Sequence, residues 1–303
     1  MSLAFPYTPF PFNVTPISPA FHLSPVTSNT SLGWVPSCKT PECIPTASWS
    51  TSAINSTIFF PFLGWDVAFD GNVKGNMSIE LFFDGEQTTW NPSGDTLFNL
   101  QSRSTDYKQQ RNVTLKVLDA SPSAQLTVTR ARVNGSSLAD YYFPADRWTV
   151  PSDDDRLEYT GFIPQKSVAQ AESSTTYVSS RAGDTVTMQF NGSTFLIYGP
   201  CGPTNGLMKI TVDNDQQTVN TSRPFASDDC LLFQAQGLPV HFQHQLLIEN
   251  IDGRTLGIDR LEFFKIDLYG RTVMIVYVRK AVKRRENLGG LFMTRPKPEW
   301  FHS

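Results

Sequence analysis

Residues Gly183–Asp213 read GDTVTMQFNGSTFLIYGPCGPTNGLMKITVD. Val186, Met188 and Phe190 alternate with Thr187 and Gln189, and Asn191-Gly192 then turns the chain into Phe195-Leu196-Ile197-Tyr198. Past a Gly/Pro loop, Met208, Ile210 and Val212 alternate with Lys209 and Thr211. Side chains on a strand point to opposite faces in turn, so this period of two, broken by Asn-Gly and Gly-Pro, predicts antiparallel strands with one buried face.

The pattern occurs once before at a fixed spacing. Gly33-Trp34-Val35-Pro36 recurs as Gly161-Phe162-Ile163-Pro164, Trp49 as Tyr177, Gly64 as Gly192 and Gly71 as Gly199, each pair 128 residues apart. One inserted residue moves Ile79, Leu81, Phe83 and Asp84 to Met208, Ile210, Val212 and Asp213 at 129. Further on, Val113-Thr114-Leu115 answers Leu246-Leu247-Ile248, and Arg130–Val133 answers Arg260–Phe263. An offset held over that length marks two copies of one strand-built unit.

A chain of 303 residues has room for two such units, each with its own core. Its 22 Phe, 9 Tyr and 6 Trp suit a β-rich interior, and there is no long segment with a 3.6-residue period. The net charge of −3 excludes an electrostatic case for nucleic acid. Charge is uneven, though: Asp267–Ser303 holds eight Lys and Arg against three Asp and Glu, which suits a membrane surface or a cytoplasmic end.

Four cysteines lie in predicted loops. Pairing Cys38 with Cys43 and Cys201 with Cys230 keeps each bridge inside one unit and is favoured over the two other connectivities. Zinc would need closer paired spacing or His partners. Asn-X-Ser/Thr sequons occur at Asn13, Asn29, Asn55, Asn76, Asn112, Asn134, Asn191 and Asn220, with Pro16 counting against the first. Loop cysteines in even number with this many sequons point to the secretory pathway and a secreted or cell-surface protein. The opening MSLAFPYTPFPFNVTP has no basic start and no Pro-free apolar run, and Val273–Val278 is too short to span a bilayer. Either a signal peptide and a membrane segment lie outside this chain, which is the favoured reading, or the protein stays inside and its sequons go unused.

The expected layout has an irregular lead-in over 1–30, a first β-sandwich over 31–134, a junction over 135–152, a second β-sandwich over 153–266, and a basic, partly disordered tail over 267–303. Pro144 and Pro151 interrupt the junction, and turns every 8 to 12 residues suit sandwiches.

Within the second unit the pattern reads Asp153-Asp154-Asp155, Tyr159-Thr160-Gly161-Phe162, Gly183 to Ser193, Ile197-Tyr198-Gly199 and Gly202-Pro203 to Gly206. It resembles a large group of fungal, chiefly mushroom-type, extracellular proteins over about residues 30–266. The resemblance implies an all-β fold of two tandem galactose-binding-like (jelly-roll) β-sandwiches, usually followed by a Ser/Thr-rich linker and one membrane helix. It also implies that any ligand binds in loops at one end of the sheets, often by stacking an aromatic face on a sugar. The loop aromatics that fit are Trp34 and Trp49 in the first copy and Phe162 and Tyr177 in the second. The same recurrence is expected of residues that close the sandwich end. Trp65 and Trp90 have no aromatic counterpart in the second copy and are candidates for a copy-specific role.

Asp153–Asp155 has oxygen ligands for calcium but reads rather as a solvated lead to a strand, and no metal site is assigned. Of His22, His241, His244 and His302, only His241 and His244 are close in sequence, with no acidic or nucleophilic neighbour. Neither a G-x-S-x-G elbow, an H-E-x-x-H helix nor a phosphate-binding Gly loop is present. The expectation is a non-catalytic extracellular module without a cofactor that binds carbohydrate weakly. Its rivals are an adhesive ectodomain that engages another protein and a glycosidase whose two carboxylates carry no sequence signature.

Overall fold

The computed structural model describes residues 12–64, 66–101, 110–134, 145–166, 175–236, 238–239 and 242–266. Among them the fold is a β-sandwich architecture, with a single 3-10 turn at Ile44–Thr46 and no α-helix. No helix of the described residues is long and apolar enough to cross a membrane.

The strands up to residue 134 are β1 (Phe12–Val14), β2 (His22–Ser24), β3 (Val35–Pro36), β4 (Trp49–Thr51), β5 (Thr57–Leu63) and β6 (Asp66–Lys74). They continue with β7 (Met77–Phe83), β8 (Glu86–Thr88), β9 (Thr96–Leu100), β10 (Gln110–Ala120) and β11 (Gln125–Asn134). From residue 145 come β12 (Ala145–Pro151), β13 (Glu158–Thr160), β14 (Ile163–Lys166), β15 (Thr175–Ser179), β16 (Thr185–Phe190) and β17 (Thr194–Cys201). The last are β18 (Leu207–Val212), β19 (Asp215–Asn220), β20 (Ser227–Gln236), β21 (His244–Asn250), β22 (Leu256–Ile258) and β23 (Arg260–Ile266).

Strands before 134 pair only with one another, and so do those after 145. The first half forms a sheet β2-β5-β10-β7-β8 and a sheet β3-β4-β11-β6-β9, with β1 also on β11. In the second half the order β13-β16-β21-β18-β19 repeats the first of these. The counterpart of the other sheet is split into β12-β23-β17-β20 and β14-β15-β22. Where β11 runs on through an irregularity between Val128 and Arg130, the second half breaks into β22 and β23 at Asp259.

Register carries the repeat to single residues. Asp70 stands opposite Arg130 and Val67 opposite Val133, as Tyr198 stands opposite Arg260 and Phe195 opposite Phe263. Phe12 and Val14 face Val133 and Ala131, as Trp148 and Val150 face Phe263 and Leu261. The stretch 1–30 is thus no irregular lead-in where it is described: β1 and β2 are sheet strands, and Phe12, Val14, Ile17 and Phe21 are buried. Likewise Ala145–Pro151, expected in the junction, pairs along β23 in spite of Pro151, because β12 is an edge strand, where a missing donor is tolerated. Residues 135–144 and the tail from 267 lie outside the described residues.

The consecutive strands of Gly183–Asp213 do not pair with each other. β16 and β18 both flank β21, whereas β17 lies between β20 and β23, so the Asn191-Gly192 turn passes the chain from one sheet to the other. Seven of the eight β17 residues are buried, because the first half covers the outer face of its sheet. There Ser18 Oγ donates to the Leu231 carbonyl at 2.5 Å, and the Gln234 side-chain amide exchanges two hydrogen bonds with the Leu63 backbone. Trp49 meets Phe225 edge-on at 5.8 Å.

Both expected disulfides are present, Cys38–Cys43 and Cys201–Cys230. They mark an oxidising, extracellular type of environment.

Candidate functional site: an aromatic row across one sheet

In the first half, the sheet β2-β5-β10-β7-β8 buries Ile58, Phe60, Leu81, Val113 and Leu115 on its inner side. The alternate residues must face outward. Cross-strand pairing lines five of them up: His22 opposite Phe59, Phe59 opposite Thr114, Thr114 opposite Phe82 and Phe82 opposite Gln87. Adjacent strands are about 4.8 Å apart, so the row crosses the sheet in about 19 Å. Phe59 is 42% exposed, Phe82 is half-buried, and the His22 and Phe59 rings are 5.7 Å apart. Burial, then Arg223, holds the His22 pKa below its ordinary value, so the imidazole is neutral at physiological pH.

On one side of this row stand Ser24, Thr57, Lys116 and Glu80, and on the other Pro61 and Asn112. An apolar stripe bordered by hydroxyl, amide and charged groups suits a ligand with both C–H faces and hydroxyls. A pyranose is such a ligand.

The fold does not require the aromatics. The equivalent row of the second half is Glu158, Thr187, Leu247, Thr211 and Gln216, in the same strand order and register. Where the first half exposes Phe59 and Phe82, the second has Thr187 and Thr211. Both copies close an equivalent core beneath, so the core does not account for the two rings.

The loop aromatics expected to carry sugar lie elsewhere. Trp34, Trp49 and Phe162 are buried at 0%, 1% and 7% exposure, which corrects their reading as sugar platforms: no face is left to stack on. Trp34 also donates its indole N–H to the Thr57 carbonyl at 3.0 Å, as a core residue does. Tyr177 is half-buried and stacked on Tyr159 at 4.0 Å, so one of its faces is occupied. Trp90 is half-buried against Phe98, and Trp65 lies outside the described residues.

A second constellation sits between the halves. A cavity of about 270 Å³ is lined by Asn13 and Thr15 of the first half and by Arg147, Tyr198, Asp229 and Glu262 of the second. Arg260 lies over the Tyr198 ring at 3.9 Å and donates to Asp229 at 2.8 Å, while Arg147 donates to Glu262 at 2.8 Å. Burial works against the Arg260 cation, but Asp229, then Tyr198 and Glu262, keep its pKa raised. Burial pushes the neighbouring Asp259 carboxyl up to about 6, and only its Oδ1 finds a donor, Thr176 at 3.0 Å. Arg147 and Arg260 are thus each paired with a carboxylate, Glu262 and Asp229, as a packed ionic interface requires. Its counterpart in the first half, Asp70 holding both Arg130 and Arg132, is open.

Two aspartates make equivalent clamps. Asp84, in a left-handed conformation at the head of the β7–β8 turn, accepts from the Asn112 N–H and from Arg111. Asp213, at the head of the β18–β19 turn, accepts from the Gln245 N–H and lies 2.8 Å from His244 Nδ1. His244 is thereby a turn anchor. Asp154 of the acidic trio is held down to about 2 by Arg156, which engages both of its oxygens. Among the described residues no group of three or more His, Cys, Asp and Glu is placed to hold a metal ion.

Of the sequons, Asn29, Asn55, Asn76 and Asn220 are exposed and Asn112 is half-buried, whereas the Asn191 Oδ1 is buried without a partner. The side chain of Asn134 lies outside the description.

No protein-family model matches the chain, and no curated protein does either. Solved structures with some likeness include a family two carbohydrate esterase from Cellvibrio japonicus, at 9% identity and a TM-score of 0.29 over 40% of this chain and 34% of that one. A xanthan lyase from Paenibacillus has 12% identity and a TM-score of 0.32 over 86% of this chain and 25% of its own. The ANX2 ectodomain from Arabidopsis thaliana has 11% identity and a TM-score of 0.27 over 82% and 90%. The chain spans about a third of the length of the esterase and a quarter of the lyase. At such TM-scores the likeness assigns neither a family nor an activity.

Proposed function

We propose that this chain is a non-catalytic module of a secreted or cell-surface protein, akin to the fungal tandem-sandwich ectodomains, and that it binds carbohydrate weakly on the row His22–Phe59–Thr114–Phe82–Gln87. The observation that carries this reading is the pair of outward phenylalanines at positions where the second copy has threonines. Exposed aromatic surface is retained at a cost in solubility, so two rings aligned across three strands call for a ligand. Stacking would supply the attraction. Thr114, Lys116 and Glu80 would supply hydrogen bonds that fix the orientation of the sugar.

The Arg260 cluster is read as structural, since its charges are spent on one another.

A glycan array probed with the whole chain, prepared without N-glycans, tests the proposal. Phe59→Ala and Phe82→Ala should each weaken binding about tenfold, equivalent to about 1.4 kcal/mol of lost ring contact. Both sites are exposed or half-buried, so circular dichroism and unfolding temperature should change little. Binding that survives both substitutions would remove the row from the account. An array with no binder at all would favour the adhesive alternative.

A further inference from the structure

One sequon lies inside the proposed site. Asn112 and Thr114, the first and third residues of Asn-Val-Thr, both point outward from β10, and Thr114 is the middle residue of the aromatic row. Asn112 stands opposite Pro61, one row from Phe59, which places the two side chains on a cross-strand diagonal of about 7–8 Å. Phe82 holds the same diagonal relation on the other flank. The Asn112 backbone is fixed by Asp84, while its side-chain amide makes no hydrogen bond among the described residues. The exposed sequons Asn29, Asn55 and Asn76 stand at turns, and Asn220 ends an edge strand. Asn220 shares a cavity with His22 at one end of the row, but Asn112 alone among these sequons lies on the strand that carries the row's middle residue.

We propose that Asn112 carries an N-linked glycan whose core N-acetylglucosamines fold onto Phe59 and Phe82 and hold the row closed to free carbohydrate. This rests on the reading of the row as a sugar site in a secreted protein. In the attachment step the Asn112 amide nitrogen bonds to C1 of a lipid-pyrophosphate-linked oligosaccharide. The lipid pyrophosphate leaves and the nitrogen gives up one proton, so no redox partner is needed. A tethered sugar meets the row at an effective concentration in the millimolar range, set by the few bonds between it and the ring. A site with millimolar affinity for free sugar is then filled from within. The state of Asn112 decides whether the row faces outward as a receptor or is covered as a wall.

The test uses the full chain directed through the secretory pathway of a glycosylating host, with N,N′-diacetylchitobiose as the probe. Peptide mapping should find glycan on Asn112. The glycosylated protein should bind the probe at least about twofold more weakly than Asn112→Gln, and adding Phe59→Ala to Asn112→Gln should abolish the gain. Endoglycosidase trimming of the folded wild-type protein serves as a second route that needs no substitution, and should shift the ring-proton resonances of Phe59 and Phe82. A bare Asn112, or ring resonances indifferent to trimming, would overturn the proposal. Equal probe binding by the glycosylated chain and Asn112→Gln removes the glycan's role alone. Absence of binding by either form removes the row as a sugar site.

Discussion

Asp259 shows how a single residue records the way the second half is assembled. It falls where the strand corresponding to β11 breaks, between β22 and β23, and it is fully buried beside Arg260 at 3.6 Å. Burial dominates and lifts its pKa from the ordinary 3.8 to about 6. A raised carboxyl pKa means that the folded protein holds the proton more tightly than the unfolded chain. Its contribution to stability is therefore complete below about pH 4 and lost as pH rises through about 6. Two pH units amount to about 3 kcal/mol at most. Urea unfolding at pH 4.5 and pH 7.5 should show this loss, and Asp259→Asn should flatten it. An unchanged profile in the variant would contradict the assignment. The row residues act at the same scale. Phe59 was legible as an anomaly, because Ile58-Phe59-Phe60 is apolar in both phases of the strand while the second copy has Thr187 in the outward phase. What the sequence does not contain is the partner strand: that Phe59, Thr114 and Phe82 share one line depends on register across 55 positions of chain.

At the scale of elements, the alternation in Gly183–Asp213 and its 128-residue echo disclosed strand positions well, since a half-buried strand must alternate. They did not disclose which strands pair, because alternation sets a face and not a neighbour. β1 went unread for a related reason. Phe12-Asn13-Val14 is three residues long and followed by Pro16, and its partner Ala131–Val133 is far along the chain. The glycines that recur at that spacing were legible and have a physical cause. A Cβ on Gly199 would lie 2.3 Å from the Gly257 carbonyl oxygen, and one on Gly71 would lie 2.0 Å from the Thr127 carbonyl oxygen. Backbone cannot step aside as a side-chain tip can. Gly199→Ala should destabilise the protein by about 1–3 kcal/mol, measured by denaturant midpoint, and Gly71→Ala similarly. Neutral effects would mean that the neighbouring strands tolerate more separation there than this packing allows.

Among the described residues the strands fall into two matching sets, and the first set covers one sheet face of the second. This arrangement explains why the charged cavity at Arg147, Asp229, Arg260 and Glu262 escaped sequence reading. Its residues span 115 positions and become neighbours only when β12, β17, β20 and β23 lie side by side. It also separates the two disulfides by environment. Cys201–Cys230 is buried and joins β17 to β20 across 29 residues, whereas Cys38–Cys43 closes a loop of five and is half-buried. From loop entropy the first should contribute about 3.5 kcal/mol and the second about 2 kcal/mol. Mild reductant should open Cys38–Cys43 first, with a smaller fall in unfolding temperature than loss of Cys201–Cys230 causes. Loss of Cys201–Cys230 should lower that temperature markedly. The opposite order, followed by thiol labelling and mass spectrometry, would contradict the burial described.

The sugar-binding claim meets its most direct test in a carbohydrate titration of Asn112→Gln followed by NMR, using the best binder from the array and assigned side-chain protons. The account predicts ligand-dependent shifts at His22, Phe59, Thr114 and Phe82, with the Thr187 and Thr211 face of the second half silent. Shifts centred on Arg130 and Arg132, or on the second half, with the Phe59 and Phe82 rings unmoved, would contradict it.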